Sequence, residues 1–566
     1  MYMRQVSFKL IEFNVYDDNN TKSDNFNKYR DNREFMVQMF GINSKGQTAS
    51  IYVEGFNPFF YVKVDDSWDN SKKTCFVNEI KAMMGPYYED SIIKSQFVEK
   101  KNLYGFDAGK LHNFIVIIFK NTMALNKAKK LWYKEIITET TYTKFLKPKG
   151  YIFEDTSVYL YEGHIPPLLR LFHIREISPS GWIALPESRY LKHDKLQKTT
   201  YCDYEYTINY RYIVPLEKNV LVPYKQCSFD IEASSSHGDF PLAIKHYKKL
   251  AMDIVNRLYY EKSEISDKHN KSDKSDKPEK NQLVDEETLK QMILTAFKVP
   301  VSVDFPYPEI NVVYPKKKVS RAEITKLFND FIMMYPATIK VNKNDTDDDI
   351  ALANGAVDDD DSDEEDDVTN QEIAQNTELE EAPSYFNKKK VRSYTNRKAS
   401  ILDILNDQAC EYTTQIKELS KTLTHIFPQL EGDKVTFIGS SFKKYGEDRP
   451  YLNHCIVLNG CVIPEGAVEN SVIVTCDTER EVLLEWTKLI QAENPDIVTG
   501  YNITTFDFPF MDDRSQELNC RQEFLKLSRN RDEVCLNRNW KTGEETLETN
   551  KIVLASGEYS LKYIKM

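Results

Sequence analysis

The sequence predicts two α–β regions in succession. An α+β region over 1–215 is followed by an α/β region over 216–250 and 430–566 built on a mixed sheet, and a partly disordered insertion at 251–429 interrupts the second. Three observations carry this reading. β-branched and aromatic runs broken by turns fill the first third of the chain, and a strand–helix–strand pattern lies near its end. Between them, 261–282 and 344–382 are too polar to bury a core and are expected to be dispensable for folding.

In the first region, "IYVEGFNPFFYVKV" (51–64) reads as two extended pieces split by Gly-Phe-Asn-Pro. "FIVIIF" (114–119) is a buried strand, after which Thr122 is placed to cap a helix through Ala124, Leu125, Ala128 and Leu131. The insertion holds two helices as ordered islands. One spans about 285–297, with Leu289, Met292, Ile293 and Ala296 on one side. The other starts at Ser320, with Glu323 completing a capping box, and presents Ile324, Leu327, Phe328 and Phe331. Regular structure resumes with the strand "DKVTFIGSSF" (433–442). Thr478 and Glu481 then form a capping box for a helix carrying Val482, Leu483, Trp486, Leu489 and Ile490. Asn494-Pro495 ends it, and "DIVTG" (496–500) is a short strand.

Composition narrows the functional class. No stretch of 18 apolar residues occurs and "MYMRQVSFKLIEF" has no signal-peptide core, so a soluble intracellular protein with no membrane partner is expected. The nine cysteines are odd in number and lack a Cys-x-x-Cys pair, which argues against a disulfide framework and a thiolate zinc site. Net charge is −12, but 344–382 holds 17 acidic residues and no Lys or Arg. Setting those 17 charges aside leaves +5 for the remainder, a balance compatible with a phosphate-backbone partner.

Two motifs carry the chemistry. In "CSFDIEASSSHGDFP" (227–241), Asp230 and Glu232 stand two apart on an extended segment and so share one face. In "NPDIVTGYNITTFDFPFM" (494–511), Asp507 follows a strand end, with Asn502, Phe506 and Tyr501 beside it. Carboxylates at adjacent strand ends can hold two divalent cations about 4 Å apart, which clamp the attacking and leaving oxygens of a phosphodiester. All-oxygen ligands suit Mg²⁺ or Mn²⁺. By residue type alone, Tyr501 and Phe506 suit core packing equally well, and Asn502 suits a helix cap.

Together the two motifs resemble the first and second exonuclease motifs of family B DNA polymerases, in the style of the delta-type enzymes of eukaryotes and large eukaryotic DNA viruses. "GFNPFFYV" (55–62) and "YEGHIPPLLRLFHIREISPSGWIAL" (161–185) resemble that family's N-terminal domain, and "SSSHGDFPLAIKHYKKLA" (234–251) is similar to its viral members. The resemblance implies an RNase-H-like 3′–5′ proofreading exonuclease acting in DNA replication. Asp230, Glu232 and Asp507 would be its metal-holding catalytic residues, with two Mg²⁺ or Mn²⁺ ions in the complete site. Asn502, Phe506 and Tyr501 would be DNA-binding residues that grip a frayed single-stranded 3′ end. Implied partners are DNA as primer-template, a C-terminal polymerase portion and a sliding clamp, at a nuclear or cytoplasmic viral replication site.

Two departures stand out. Ala233 occupies a position where some members carry Thr, and neither the third exonuclease motif, a helical Tyr-x3-Asp that would follow Asp507, nor the palm motifs of the polymerase occur. The chain is therefore expected to be the N-terminal portion of a polymerase, weak or inactive alone. A freestanding exonuclease and a non-catalytic scaffold are the alternatives.

Overall fold

A computed structural model describes residues 4–19, 29–101, 108–137, 142–235, 240–269, 284–299, 307–336, 399–407, 410–462, 470–539 and 543–552. The acidic run 344–382 lies outside them. The chain folds as two compact units, Met1–Ser234 with Lys434–Met566, and Ser235–Asp433.

The first unit contains three principal sheets. A seven-stranded sheet runs in the order Tyr190–Lys192, Tyr204–Asn209, Thr48–Glu54, Arg33–Ile42, Gln5–Asn19, Trp182–Pro186 and Val214–Leu216. Its pairings are antiparallel except that of Tyr204–Asn209 with Thr48–Glu54. Phe8, Leu10, Val37, Met39, Ile51 and Ile183 form its core with Leu171 and Phe172 of the Pro167–Arg175 helix. A five-stranded sheet has the order Ile92–Lys101, Leu111–Phe119, Phe59–Lys63, Thr156–Tyr161 and Tyr151–Phe153. Phe60, Val62, Ile115, Ile117 and Phe119 bury its inner face against Phe76 and Ile80 of the Asn70–Met84 helix. The two extended pieces of 51–64 thus belong to different sheets. Gly55 makes the turn between them at φ +78°, where an added Cβ would lie 2.3 Å from the Asn209 amide.

The following helix, Thr122–Lys129, starts one residue earlier than its sequence suggests. Asn121, not Thr122, is the cap, its side chain accepting from the Ala124 N–H at 2.8 Å. The Thr122 and Met123 N–H groups go instead to the Asp17 carboxylate, each at 2.9 Å. A capping side chain brought from 105 positions away in sequence is invisible to a local pattern.

The third sheet is mixed, in the order Ser471–Cys476, Leu452–Leu458, Lys434–Lys444, Lys225–Ser234 and Ile497–Thr499. Outer pairings are parallel and inner ones antiparallel. The Glu479–Glu493 helix covers one face with Val482, Leu483, Trp486 and Ile490, and Thr478 and Glu481 do form its capping box. Trp486 donates its indole N–H to Ser440 at 3.1 Å, which satisfies the polar end of a fully buried ring.

The second unit is helical and larger than the expected insertion. Its helices are Lys248–His269, Glu286–Ala296, Arg321–Met333, Ile401–Asn406 and Tyr412–Ile426. They share one core that includes Tyr247, Leu250, Ile254, Leu289, Phe328, Phe331, Leu419 and Leu423. The boundary moves from 251 to 235 because the stripe Leu250, Ile254, Val255 and Leu258 starts before 251 and packs into this core. The ordered islands are parts of one folded body. The first helix also runs to His269, nine residues into the stretch 261–282 expected as linker. That segment contains Lys, Glu and Ser but no Gly or Pro, so nothing local stops a helix already anchored by its apolar stripe. Residues 270–282 lie outside the described set.

Candidate active site

The Lys225–Ser234 strand alternates strictly. Cys227, Phe229 and Ile231 are buried, whereas Ser228, Asp230 and Glu232 are exposed together on the other face. Phe229 sits 4.8 Å from the Trp486 ring and 5.2 Å from Phe508, so the aromatic core fixes the side chain next to Asp230. Glu232 lies at a break in register with Lys434–Lys444, where Thr436 is the extra residue and its hydroxyl donates to the Glu232 carbonyl at 3.1 Å. Such bulges bend a strand locally and re-aim the side chains beside them.

The neighbouring strand Ile497–Thr499 pairs only with Gln226–Ser228 and then ends. Beyond it, the Ile231 N–H has no ladder partner on that side, and a buried amide must find an acceptor. Two carboxylates supply it. The Ile231 N–H donates to Asp230 Oδ1 at 3.1 Å and to Asp507 Oδ1 at 3.2 Å. Gly500 permits this approach, since a Cβ there would lie 2.7 Å from the Phe229 carbonyl and 2.3 Å from Ile503 Cγ2.

Asp507 opens the helix Asp507–Glu517 and is buried. Two turns along, Arg514 is braced by the buried Glu479 carboxylate, Nε at 2.9 Å and Nη2 at 2.6 Å, which ties this helix to the Glu479–Glu493 helix. Glu479 also accepts from the Val435 N–H at 2.9 Å, so the same group holds the second strand of the sheet. At the strand's other end, the buried Asp496 accepts from the Lys225 N–H at 2.8 Å and pairs with buried Arg529.

Burial pushes the Asp507 carboxyl up to about 6, and the nearby Asp230 carboxylate adds to the rise through its charge and a side-chain hydrogen bond. Hydrogen bonds from backbone N–H groups oppose it. Two carboxylates drawn to one amide are a poor arrangement in isolation and a good one around a cation. Glu232 does not complete a cluster. No group of three or more His, Cys, Asp and Glu side chains placed to hold an ion occurs among the described residues. Mutual repulsion of three acids is the physical reason to expect the third to stand off in this arrangement.

The remaining predicted residues occupy the turn between strand and helix. Tyr501 is 79% exposed, which removes core packing as its role. Asn502 adopts a left-handed conformation, φ 57°, and its carbonyl accepts from the Thr505 and Phe506 N–H groups at 3.3 and 3.0 Å. Its side chain accepts from the Thr505 hydroxyl, while the helix cap position falls to Phe506. Phe506 is half-buried, 5.5 Å from Phe510.

The model of the DNA polymerase family B exonuclease domain matches residues 158–309 and 413–558. The chain belongs to family B of the DNA polymerases. It is 45% identical over 574 residues to the DNA polymerase of Phaeocystis pouchetii virus, covering 99% of this chain and 51% of that one. Identity to the DNA polymerase of Pyramimonas orientalis virus is 26% over 581 residues, covering 100% of this chain and 39% of the relative. The DNA polymerase delta catalytic subunit of Schizosaccharomyces pombe is a more distant relative, 27% identical over 234 residues, 39% of this chain and 20% of that one. The family B chain thus spans about half the length, or less, of these curated relatives. Among its described residues no helix is long and apolar enough to cross a membrane.

Several contributors to this site carry weak sequence signals. Gly500 stands in the quoted motif, but only the closeness of the Phe229 carbonyl explains why a glycine is needed there. Arg514 lies seven positions after Asp507, a helical spacing that places both on one side, yet its partner Glu479 is 35 positions away.

Proposed function

We infer that the family B chain carries a 3′–5′ proofreading exonuclease of a replicative DNA polymerase, with Asp230, Glu232 and Asp507 as its metal-holding catalytic carboxylates. The observation that carries this reading is the convergence of Asp230 and Asp507 on the single amide of Ile231. The donor set fits Mg²⁺ or Mn²⁺: it is all oxygen, and it includes a buried carboxyl whose proton a cation would displace. When bound, a pair of such ions supplies charge for the attacking and leaving oxygens of the phosphodiester.

The chain's own residues then have separable tasks. Asp230 and Asp507 hold one end of the site against the strand, and Glu232, two positions along the same face, would close in on a bound cation. Exposed Tyr501, with Phe506 and Asn502 on the turn, grips the unpaired 3′ nucleotides by stacking and hydrogen bonding. Positioning is set by Gly500 and the Phe229–Phe508–Trp486 bed.

The test is paired. Mn²⁺ binding to this chain should be lost in Asp230→Ala and Asp507→Ala. No Tyr-x3-Asp follows Asp507 within residues 1–566, so alone they should digest a 3′-labelled single strand slowly. Extending the chain with a helix that bears this motif should give Mg²⁺-dependent digestion that Asp230→Ala abolishes. Mn²⁺ binding unaffected by both substitutions, or digestion that survives Asp230→Ala, would place the site elsewhere.

A further inference from the structure

The mixed sheet ends at Ser471–Cys476 on one side and at Ile497–Thr499 on the other. Parallel pairing with Leu452–Leu458 uses one edge of Ser471–Cys476. The Asn470 and Cys476 carbonyls accept from the Asn453 and Asn459 N–H groups at 2.9 and 2.8 Å, so the even-numbered residues turn their backbone polar groups inward. Those of Ser471, Ile473 and Thr475 point outward and meet no hydrogen-bond partner among the described residues. Ser471 and Thr475 are exposed, and Val472 is 43% exposed on the side of the Glu479–Glu493 helix.

Sheet edges are ordinarily kept from pairing by shortness, charge or proline. The other edges of the three principal sheets follow that rule. Tyr190–Lys192, Tyr151–Phe153 and Ile497–Thr499 have three residues each, Val214–Leu216 is as short and contains Pro215, and Ile92–Lys101 carries Lys94, Glu99, Lys100 and Lys101. Ser471–Cys476 has six residues, with neither charge nor proline, and Val472, Ile473, Val474 and Thr475 are all β-branched. Such an edge is a template for another strand. A second copy of the same strand fits it. In an antiparallel pair with its twofold axis at Val474, that residue faces its own counterpart, Val472 faces Cys476, and Ile473 exchanges outward N–H and C=O groups with Thr475. Asp477 then lies opposite the Ser471 hydroxyl, and six residues of strand hold it about 20 Å from the other Asp477, beyond a Debye length at physiological salt. Pairing uses up the edge in both copies, so the assembly closes at two.

We propose that Ser471–Cys476 pairs antiparallel with the same strand of a second copy of this chain, joining two five-stranded mixed sheets across a twofold axis. One strand pair is a small interface, so the dimer is a weak one, with Kd on the order of 10 µM. The edge lies three strands away from Asp230, and the pairing rests on none of the metal-site assignments.

Sedimentation velocity of the full chain, from about 1 to about 200 µM, should show monomer giving way to dimer. Ile473→Pro removes an outward N–H and no inward bond, a change an edge strand tolerates. It should raise the dimerisation midpoint roughly tenfold or more, while Tm falls by only a few degrees. A second measurement stands if that variant does not fold. In a chain whose exposed cysteines are removed by Cys75→Ser and Cys461→Ser, Val474→Cys should give a disulfide-linked dimer on oxidation with diamide, because side chains at a non-hydrogen-bonded pair lie about 4.5–5.5 Å apart at Cβ. Thr475→Cys in the same background, displaced from the axis, should give far less. A chain that stays monomeric at about 200 µM overturns the proposal. So does a dimer that Ile473→Pro leaves unchanged, or equal crosslinking at 474 and 475, either of which puts the interface elsewhere. Loss of the dimer when the chain is extended with the Tyr-x3-Asp helix would assign the edge to the added polypeptide and overturn it too. None of these outcomes would bear on metal binding at Asp230 and Asp507.

Discussion

Replacing Asp507 by Asn should stabilise the metal-free protein, although it removes a group proposed to act in catalysis. Asp507 is buried beside Asp230, and its carboxyl is raised from the ordinary 3.8 to about 6. Between those values the native state holds a proton that the unfolded chain has released, so stability falls as pH rises through the window. The penalty is absent below about pH 4 and complete above about pH 6. At pH 7.5 such a rise corresponds to at most about 3 kcal/mol, and water around exposed Asp230 reduces this to about 1–3 kcal/mol. Asn keeps an oxygen for the Ile231 N–H and gains an amide donor for Asp230. Thermal melting in EDTA at pH 7.5 should show Tm higher in Asp507→Asn by roughly 2–6 °C, and the difference should vanish near pH 4. Adding Mg²⁺ should raise Tm of the unsubstituted chain but not that of the variant. A variant that melts lower than the parent in EDTA at pH 7.5 would refute the idea that these carboxylates are held against their mutual repulsion.

Three other substitutions probe the supports of the site. Arg529→Met leaves Asp496 buried without its partner and should cost about 3–5 kcal/mol, read from the urea midpoint; adding Asp496→Asn should recover part of the loss. Gly500→Ala forces the Phe229 carbonyl to move, so in the chain extended with the Tyr-x3-Asp helix digestion should fall by more than tenfold, while Tm drops by only a few degrees. Thr478→Ala removes one half of a capping box and should cost about 1 kcal/mol with no effect on Mn²⁺ binding.

What could be read from sequence alone divides by range. Local devices were readable: both capping boxes, at Ser320/Glu323 and Thr478/Glu481, are formed, and the alternation around Asp230 and Glu232 sets the two acids on one face. The cap of the Thr122–Lys129 helix lies one residue before the one its sequence suggests, because Asn121 and Asp17 divide a task that Thr122 is also suited to perform. The helical unit begins earlier than its low-complexity segments suggest, because a stripe beginning at Tyr247 gives no sign of which core it will join. At the site, the carboxylates themselves were visible, but their meeting point was not. Ile231 is an unremarkable strand residue by type, and its amide is left open only because a strand far along the chain ends at Thr499.

The helical unit Ser235–Asp433 departs from the mixed sheet after Ser234 and returns at Lys434, two residues that face each other across one ladder. To the sheet, therefore, the whole unit is a hairpin connection whose ends are already about 5 Å apart. Closing a longer connection costs only about 0.6 kcal/mol per doubling, and a body folded on its own costs less. Cargo of very different size can then be loaded at this point, or unloaded, without shifting the register that sets Asp230 and Glu232. Most of the 276 positions between Ile231 and Asp507 lie in this helical unit, whereas the geometry at Ile231 depends on neighbours that stay side by side in the sheet.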